Sequence, residues 1–134
     1  MRASCVFHVD ELTPVDWIPP VTTAVDVGHA HMVKRYEGAV NGTSVTQFSA
    51  AYDQASGTGT YVAMESFEGT VDGRAGAFNF AHSATTTCGP QRLAELFVIV
   101  PASGAGELAG ITGTGALEVD ADGVHRLHLD YDLP

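Results

Sequence analysis

Glycine-centred reversals recur at a nearly constant interval through the middle of the chain, and that interval leaves few folds open. From Gly42 to Gly57, Gly73 and Gly89 the spacings are 15, 16 and 16 residues. Asn41-Gly42, Asp72-Gly73 and Asp122-Gly123 are dipeptides that supply the two positive φ values of a tight type I′ hairpin. Gly57-Thr58-Gly59 and Cys88-Gly89-Pro90 mark two further reversals. The stretches between them are rich in Val, Thr, Phe and Tyr, residues that favour strands. No amphipathic stretch of helical period exceeds three turns.

The pattern predicts a meander of strands near 3–10, 29–40, 44–53, 60–71, 74–87, 92–100, 111–119 and 124–133. Eight long antiparallel strands either leave two exposed edges or close on themselves, and closure removes the edges. The expected fold is therefore all-β, an eight-stranded antiparallel up-and-down barrel formed by one domain over residues 1–134. Eight strands give an interior that side chains fill or that holds one small ligand. The competitor is a β-sandwich, with shorter strands and Greek-key crossovers that nothing here demands. Two segments stand outside the meander. Thr13–Ala24 carries three of the six prolines and the single tryptophan, Trp17. It reads as a long loop that either closes over the barrel as a lid or plugs one mouth with Trp17. Ser103–Gly115 is glycine-rich and reads as one helical turn leading into the strand at 111–119.

Charge and composition exclude several functions. Sixteen acidic residues against six basic ones give a net charge of −10, which repels phosphate backbones, so neither nucleic acid nor an anionic membrane is an expected partner. The longest apolar run, Leu96–Val100, is far short of a membrane span, and Met1–Asp10 lacks the apolar region of a secretory signal. Cys5 and Cys88 read as two reduced thiols in a cytoplasmic protein. Gly104–Ala109 matches a dinucleotide fingerprint formally, but the glycines at 110, 113 and 115 leave no room for the helix it requires. His29 and His31 share a strand face with Glu37. A cupin metal site needs a glutamate three or four residues after the second histidine and a later third histidine, so no metal site is expected.

One constellation remains, and it comes from hairpin arithmetic. If Asp72-Gly73 is a two-residue turn, opposed residues sum to 145: Ala63 faces His82, Glu65 faces Phe80 and Phe67 faces Phe78. Tyr61, Glu65, Phe67, Phe78, Phe80 and His82 then share one side of the sheet, with Glu65 and His82 as diagonal neighbours within side-chain reach. This aromatic side is the expected interior. A carboxylate and an imidazole there are either a register-fixing hydrogen bond or an acid–base pair, since burial raises the carboxyl's pKa and a neighbouring imidazolium lowers it.

The stretches Val33–Gly38 (VKRYEG), Tyr61–Gly76 (YVAMESFEGTVDGRAG), Phe78–Ser83 (FNFAHS), Val100–Gly113 (VPASGAGELAGITG) and Leu129–Leu133 (LDYDL) resemble a bacterial domain-of-unknown-function family. Its members are short eight-stranded barrels similar in fold to allene oxide cyclase and dirigent proteins, of the wider calycin-like kind. Glu65, Phe67, His82 and Tyr131 stand at positions matching the family pattern, whereas Ser66, the Cys88-Gly89-Pro90 stretch and the Trp17 loop depart from it. Related barrels cyclise or stereochemically steer reactive, largely apolar intermediates without a redox cofactor. The resemblance thus implies a cofactor-independent cyclase or isomerase acting on a hydrophobic small molecule, in specialised metabolism. Glu65 is the expected general base or acid and His82 its partner, with Tyr61, Phe67, Phe78, Phe80, Tyr131 and Trp17 around the ligand. The alternative is a non-catalytic barrel that binds a small apolar ligand. A third reading is a homo-oligomer whose barrel is filled by its own side chains.

Overall fold

A computed structural model of the chain, describing residues 1–89 and 91–134, contains strands and turns and no helix. The strands are β1 (Arg2–Val15), β2 (Val27–Gly38), β3 (Val40–Asp53), β4 (Thr58–Val71), β5 (Arg74–Thr86), β6 (Arg92–Ile99), β7 (Ala105–Gly106), β8 (Thr112–Val119) and β9 (His125–Asp132). All pairings are antiparallel. Eight strands form a closed ring in the order β4-β3-β2-β1-β9-β8-β6-β5, with β5 hydrogen-bonded back to β4. The two-residue β7 lies against Gly76 and Ala77 of β5. No helix of the described residues is long and apolar enough to cross a membrane.

The β4–β5 hairpin follows the arithmetic residue for residue, from Val71 opposite Arg74 to Gly59 opposite Thr86. Asp72 and Gly73 take φ values of 48° and 81°, the two left-handed positions of a type I′ turn. The inward side carries Ala63, Glu65, Phe67, Phe78, Phe80 and His82, all buried, while Val62, Met64, Ser66 and Glu68 face out.

Other expected reversals fall elsewhere. Asn41-Gly42 lies inside β3, and the chain turns at Gly38-Ala39 instead. Gly42 is needed there for a close approach: a Cβ on it would lie 2.2 Å from the Glu68 carbonyl oxygen. Asp122-Gly123 belongs to a five-residue connection, 120–124, closed by the Asp120 N–H donating to the Val124 carbonyl (2.9 Å). Of the Cys88-Gly89-Pro90 reversal, Pro90 lies outside the described residues. β1 runs on through Val15, so the loop expected over 13–24 spans 16–26. Instead of one helical turn, the glycine-rich segment forms β7 and successive turns. In these the Leu108 N–H donates to Ala105 and the Ile111 N–H to Leu108 (3.2 and 3.1 Å).

The two ends of the ring differ. At the end holding the Asp72-Gly73 turn, Leu108 and Ile111 from the glycine-rich segment are fully buried against Val40, Val71, Phe67, Phe78, Leu129 and Tyr131. Tyr131 donates its hydroxyl to Asp72 there, tying β9 to the hairpin. At the opposite end, where β1 stops and β2 starts, no such segment of the described residues is inserted.

Candidate functional site

Just inside the unfilled end lies a cavity of about 210 Å³. Phe7, Met32, Phe48, Leu117 and Val119 give it apolar walls, and Lys34, Tyr61, His82, Arg92 and His125 bring nitrogen and oxygen atoms to it. The space is several times the ~30 Å³ that one water occupies in the liquid. It lies below the ~300–1,000 Å³ of a drug-sized pocket, so its occupant is small or extends through the open end.

Beneath the cavity Glu65 is fully buried and hydrogen-bonded on both carboxylate oxygens. Oε1 accepts from the Tyr36 hydroxyl at 2.5 Å and the Ser44 hydroxyl at 2.8 Å. Oε2 accepts from the Lys34 ammonium at 2.9 Å and from His82 Nε2. Burial alone pushes the Glu65 carboxyl up. The His82 hydrogen bond, the charges of Lys34 and His82 and the Tyr36 hydroxyl outweigh it and bring the pKa down to about 2. Glu65 is therefore a fixed anion with filled acceptor sites. Burial, reinforced by the Glu65 charge beside it, pushes the Tyr36 phenol far up, which keeps it a donor.

The chain of contacts continues to the cavity. An ionised Glu65 can only accept, so the proton on that bond belongs to His82 Nε2. On its other side His82 Nδ1 meets the Tyr61 hydroxyl at 2.9 Å, and Arg92 Nη2 donates to the same hydroxyl oxygen at 2.6 Å. Where the imidazole carries its proton on Nε2 alone, the phenol donates to Nδ1. Burial raises the Tyr61 pKa and the Arg92 contact opposes the rise. The imidazole stacks against Phe80 and Phe97, whose rings also stack on each other at 5.0 Å. A line Glu65–His82–Tyr61–Arg92 thus ends at the cavity wall.

The residues expected from sequence separate into three groups. Glu65, His82 and Tyr61 come together at and below the cavity. Phe67, Phe78, Phe80 and Tyr131 face inward as expected but fill the packed part of the ring, and none of them borders the cavity. Trp17 is elsewhere: it is 56% exposed, with its indole against the outward-facing His29 ring at 5.7 Å. Among the described residues no three His, Cys, Asp or Glu side chains converge as metal ligands. Sequence reasoning missed Lys34, Tyr36, Ser44 and Arg92. The alternation in Val33–Gly38 puts Lys34 and Tyr36 on one face, and that signal was available.

Fold and site together define a small closed antiparallel ring with a polar relay under an apolar cavity. The chain belongs to the family described as "Protein of unknown function (DUF3224)", whose model matches residues 3–131. None of the curated proteins matches it. A solved structure described as a protein with unknown function from the DUF3224 family of Shewanella oneidensis MR-1 is 28% identical. It has a TM-score of 0.86, and the likeness covers 100% of this chain and 98% of that one.

Proposed function

We propose that the ring works as an eight-stranded up-and-down barrel of the allene oxide cyclase-like kind, and that the protein is a cofactor-independent isomerase or cyclase for a small apolar molecule. One observation carries this reading: the hydrogen-bonded line from Glu65 through His82 and Tyr61 to Arg92 ends at an apolar cavity. The catalytic group is Tyr61. Transfer of its proton to His82 Nδ1 leaves a phenolate beside the Arg92 guanidinium and an imidazolium beside the Glu65 carboxylate. The phenolate can take a proton from a carbon next to a carbonyl and return it at another carbon, so protons balance over the cycle. Glu65, expected as the base, is too well satisfied for that role. It positions His82 and stabilises its charged form.

The test is solvent deuterium exchange into 1-indanone and cyclohexanone, small enolisable ketones, followed by mass spectrometry. The wild type accelerates exchange over buffer, and Tyr61→Phe and His82→Asn lose about 10²-fold or more, the usual contribution of a positioned acid–base group. Binding of both ketones without exchange refutes the catalytic reading in favour of a non-catalytic binding barrel.

A further inference from the structure

The walls of the cavity gather two of the few cationic side chains of an acidic chain. Only six residues of the chain are lysine or arginine, against sixteen acidic ones, yet Lys34 and Arg92 both border this one cavity. Lys34 is neutralised by Glu65 directly beneath it. Arg92 is not matched in the same way. Its Nη2 goes to the neutral Tyr61 hydroxyl, and its buried Nε has no hydrogen-bond partner among the described residues. Glu95 Oε2 lies 3.7 Å from that Nε, beyond hydrogen-bond distance, and is half exposed. Glu118, also at the rim, is more exposed still and reaches towards His128.

The backbone turns Arg92 inward by an unusual route. A β-bulge in β6 shifts the pairing between Ser83–Leu96 and Thr85–Leu93, and Ala94 within it takes a left-handed φ of 51°. The extra residue inverts the alternation, so Arg92, opposite Thr86, faces the interior together with Phe97 and Ile99. Left-handed backbone at a residue with a Cβ costs about 1–2 kcal/mol. Strain of this kind collects where a side chain must be aimed. Deeper in the ring Thr46 is fully buried with an unpartnered hydroxyl, opposite Met32 on one side and Glu65 on the other.

We infer that the ligand is a small apolar acid, an aryl or short-alkyl carboxylate, whose carboxylate is held by Arg92 while its hydrocarbon part rests on Phe7, Phe48 and Leu117. The inference rests on the reading of this cavity as the ligand site. The Arg92 guanidinium borders the cavity, its planar fork of donors suits a carboxylate, and the apolar walls keep that contact out of water. A neutral isostere would leave the fork unpaired and gains less.

Matched probes test this: 4-phenylbutyrate against 4-phenylbutyramide, titrated calorimetrically at pH 7 in low salt. The wild type binds the acid at least tenfold more tightly than the amide. Arg92→Gln abolishes the preference for the acid over the amide, while Arg92→Lys, retaining the charge without the fork, keeps part of it. Thermal melting of each variant verifies that it is folded. Equal affinity for the two probes, a preference that survives Arg92→Gln, or no binding of either at millimolar concentration overturns the inference. Preference for the acid with no deuterium exchange on any ketone keeps this inference and removes the catalytic reading. Exchange on neutral ketones with no preference for the acid does the reverse.

Discussion

Replacing Glu65 by glutamine exchanges one carboxylate oxygen for an amide group in a place surrounded by donors. Lys34, Tyr36, Ser44 and His82 all donate to Glu65, so any orientation of the amide sets N–H groups against N–H or O–H groups. Lys34, only 5% exposed, is left without its counter-charge. Breaking a buried ion pair from one side costs about 3–5 kcal/mol. The carboxyl's own titration gives a similar figure. Its pKa falls from an ordinary 4.5 to about 2, and at about 1.4 kcal/mol per pH unit that gap is worth roughly 3 kcal/mol of folding stability. Because the folded pKa is the lower one, this stability is complete above pH 4.5. It drains away as pH falls from 4.5 through about 2, where the folded protein must finally take up the proton. Urea unfolding of wild type and Glu65→Gln at a series of pH values measures both effects. At pH 7 the variant is expected to be less stable by about 3 kcal/mol, with a melting temperature roughly 10 °C or more lower. The difference between the two proteins should shrink between pH 4.5 and 2. Adding Lys34→Met to Glu65→Gln removes the stranded ammonium and should recover part of the loss. A loss below about 1 kcal/mol, or a difference that stays constant down to pH 2, refutes the account of Glu65 as a buried, hydrogen-bonded anion.

Other consequences can be measured independently. Burial pushes the Cys5 thiol up to about 12, whereas Cys88 is exposed, so a thiol reagent at pH 8 should titrate one cysteine in the native protein and two after denaturation. Gly42→Ala puts a methyl 2.2 Å from a backbone oxygen and should prevent folding or cost several kcal/mol. Gly73→Ala meets open space and should cost only the strain of its 81° φ, about 1–2 kcal/mol by denaturant unfolding. Tyr131→Phe removes the hydroxyl that donates to Asp72 and should cost about 1.5–3 kcal/mol, the usual worth of a hydrogen bond to a charged group, with the ring otherwise intact.

The sequence alone determined the strand-rich class, the reversal at Asp72-Gly73 and the whole β4–β5 register, while the reversal expected at Gly57-Thr58-Gly59 shares only Gly57 with the observed turn, Thr58 and Gly59 belonging to β4. An Asp-Gly turn of fixed length leaves only one alignment for the strands on either side of it. Glu65 and His82 were legible as neighbours for the same reason. Lys34 was not. Placing the turn at Asn41-Gly42 sets opposed residues of β2 and β3 to a sum of 83, whereas the observed pairs sum to 78. An odd displacement in register exchanges the two faces of a strand, so Lys34 and Tyr36 could not be matched to the Glu65 side. Only the closed ring decided which end is filled by Leu108 and Ile111 and which keeps a cavity. Only the bulge at Ala94 decided that Arg92 points inward. Local turn chemistry writes hairpin pairing into adjacent residues, but closure, bulges and the filling of a tube depend on contacts between segments far apart in the chain, and no short stretch of sequence encodes those.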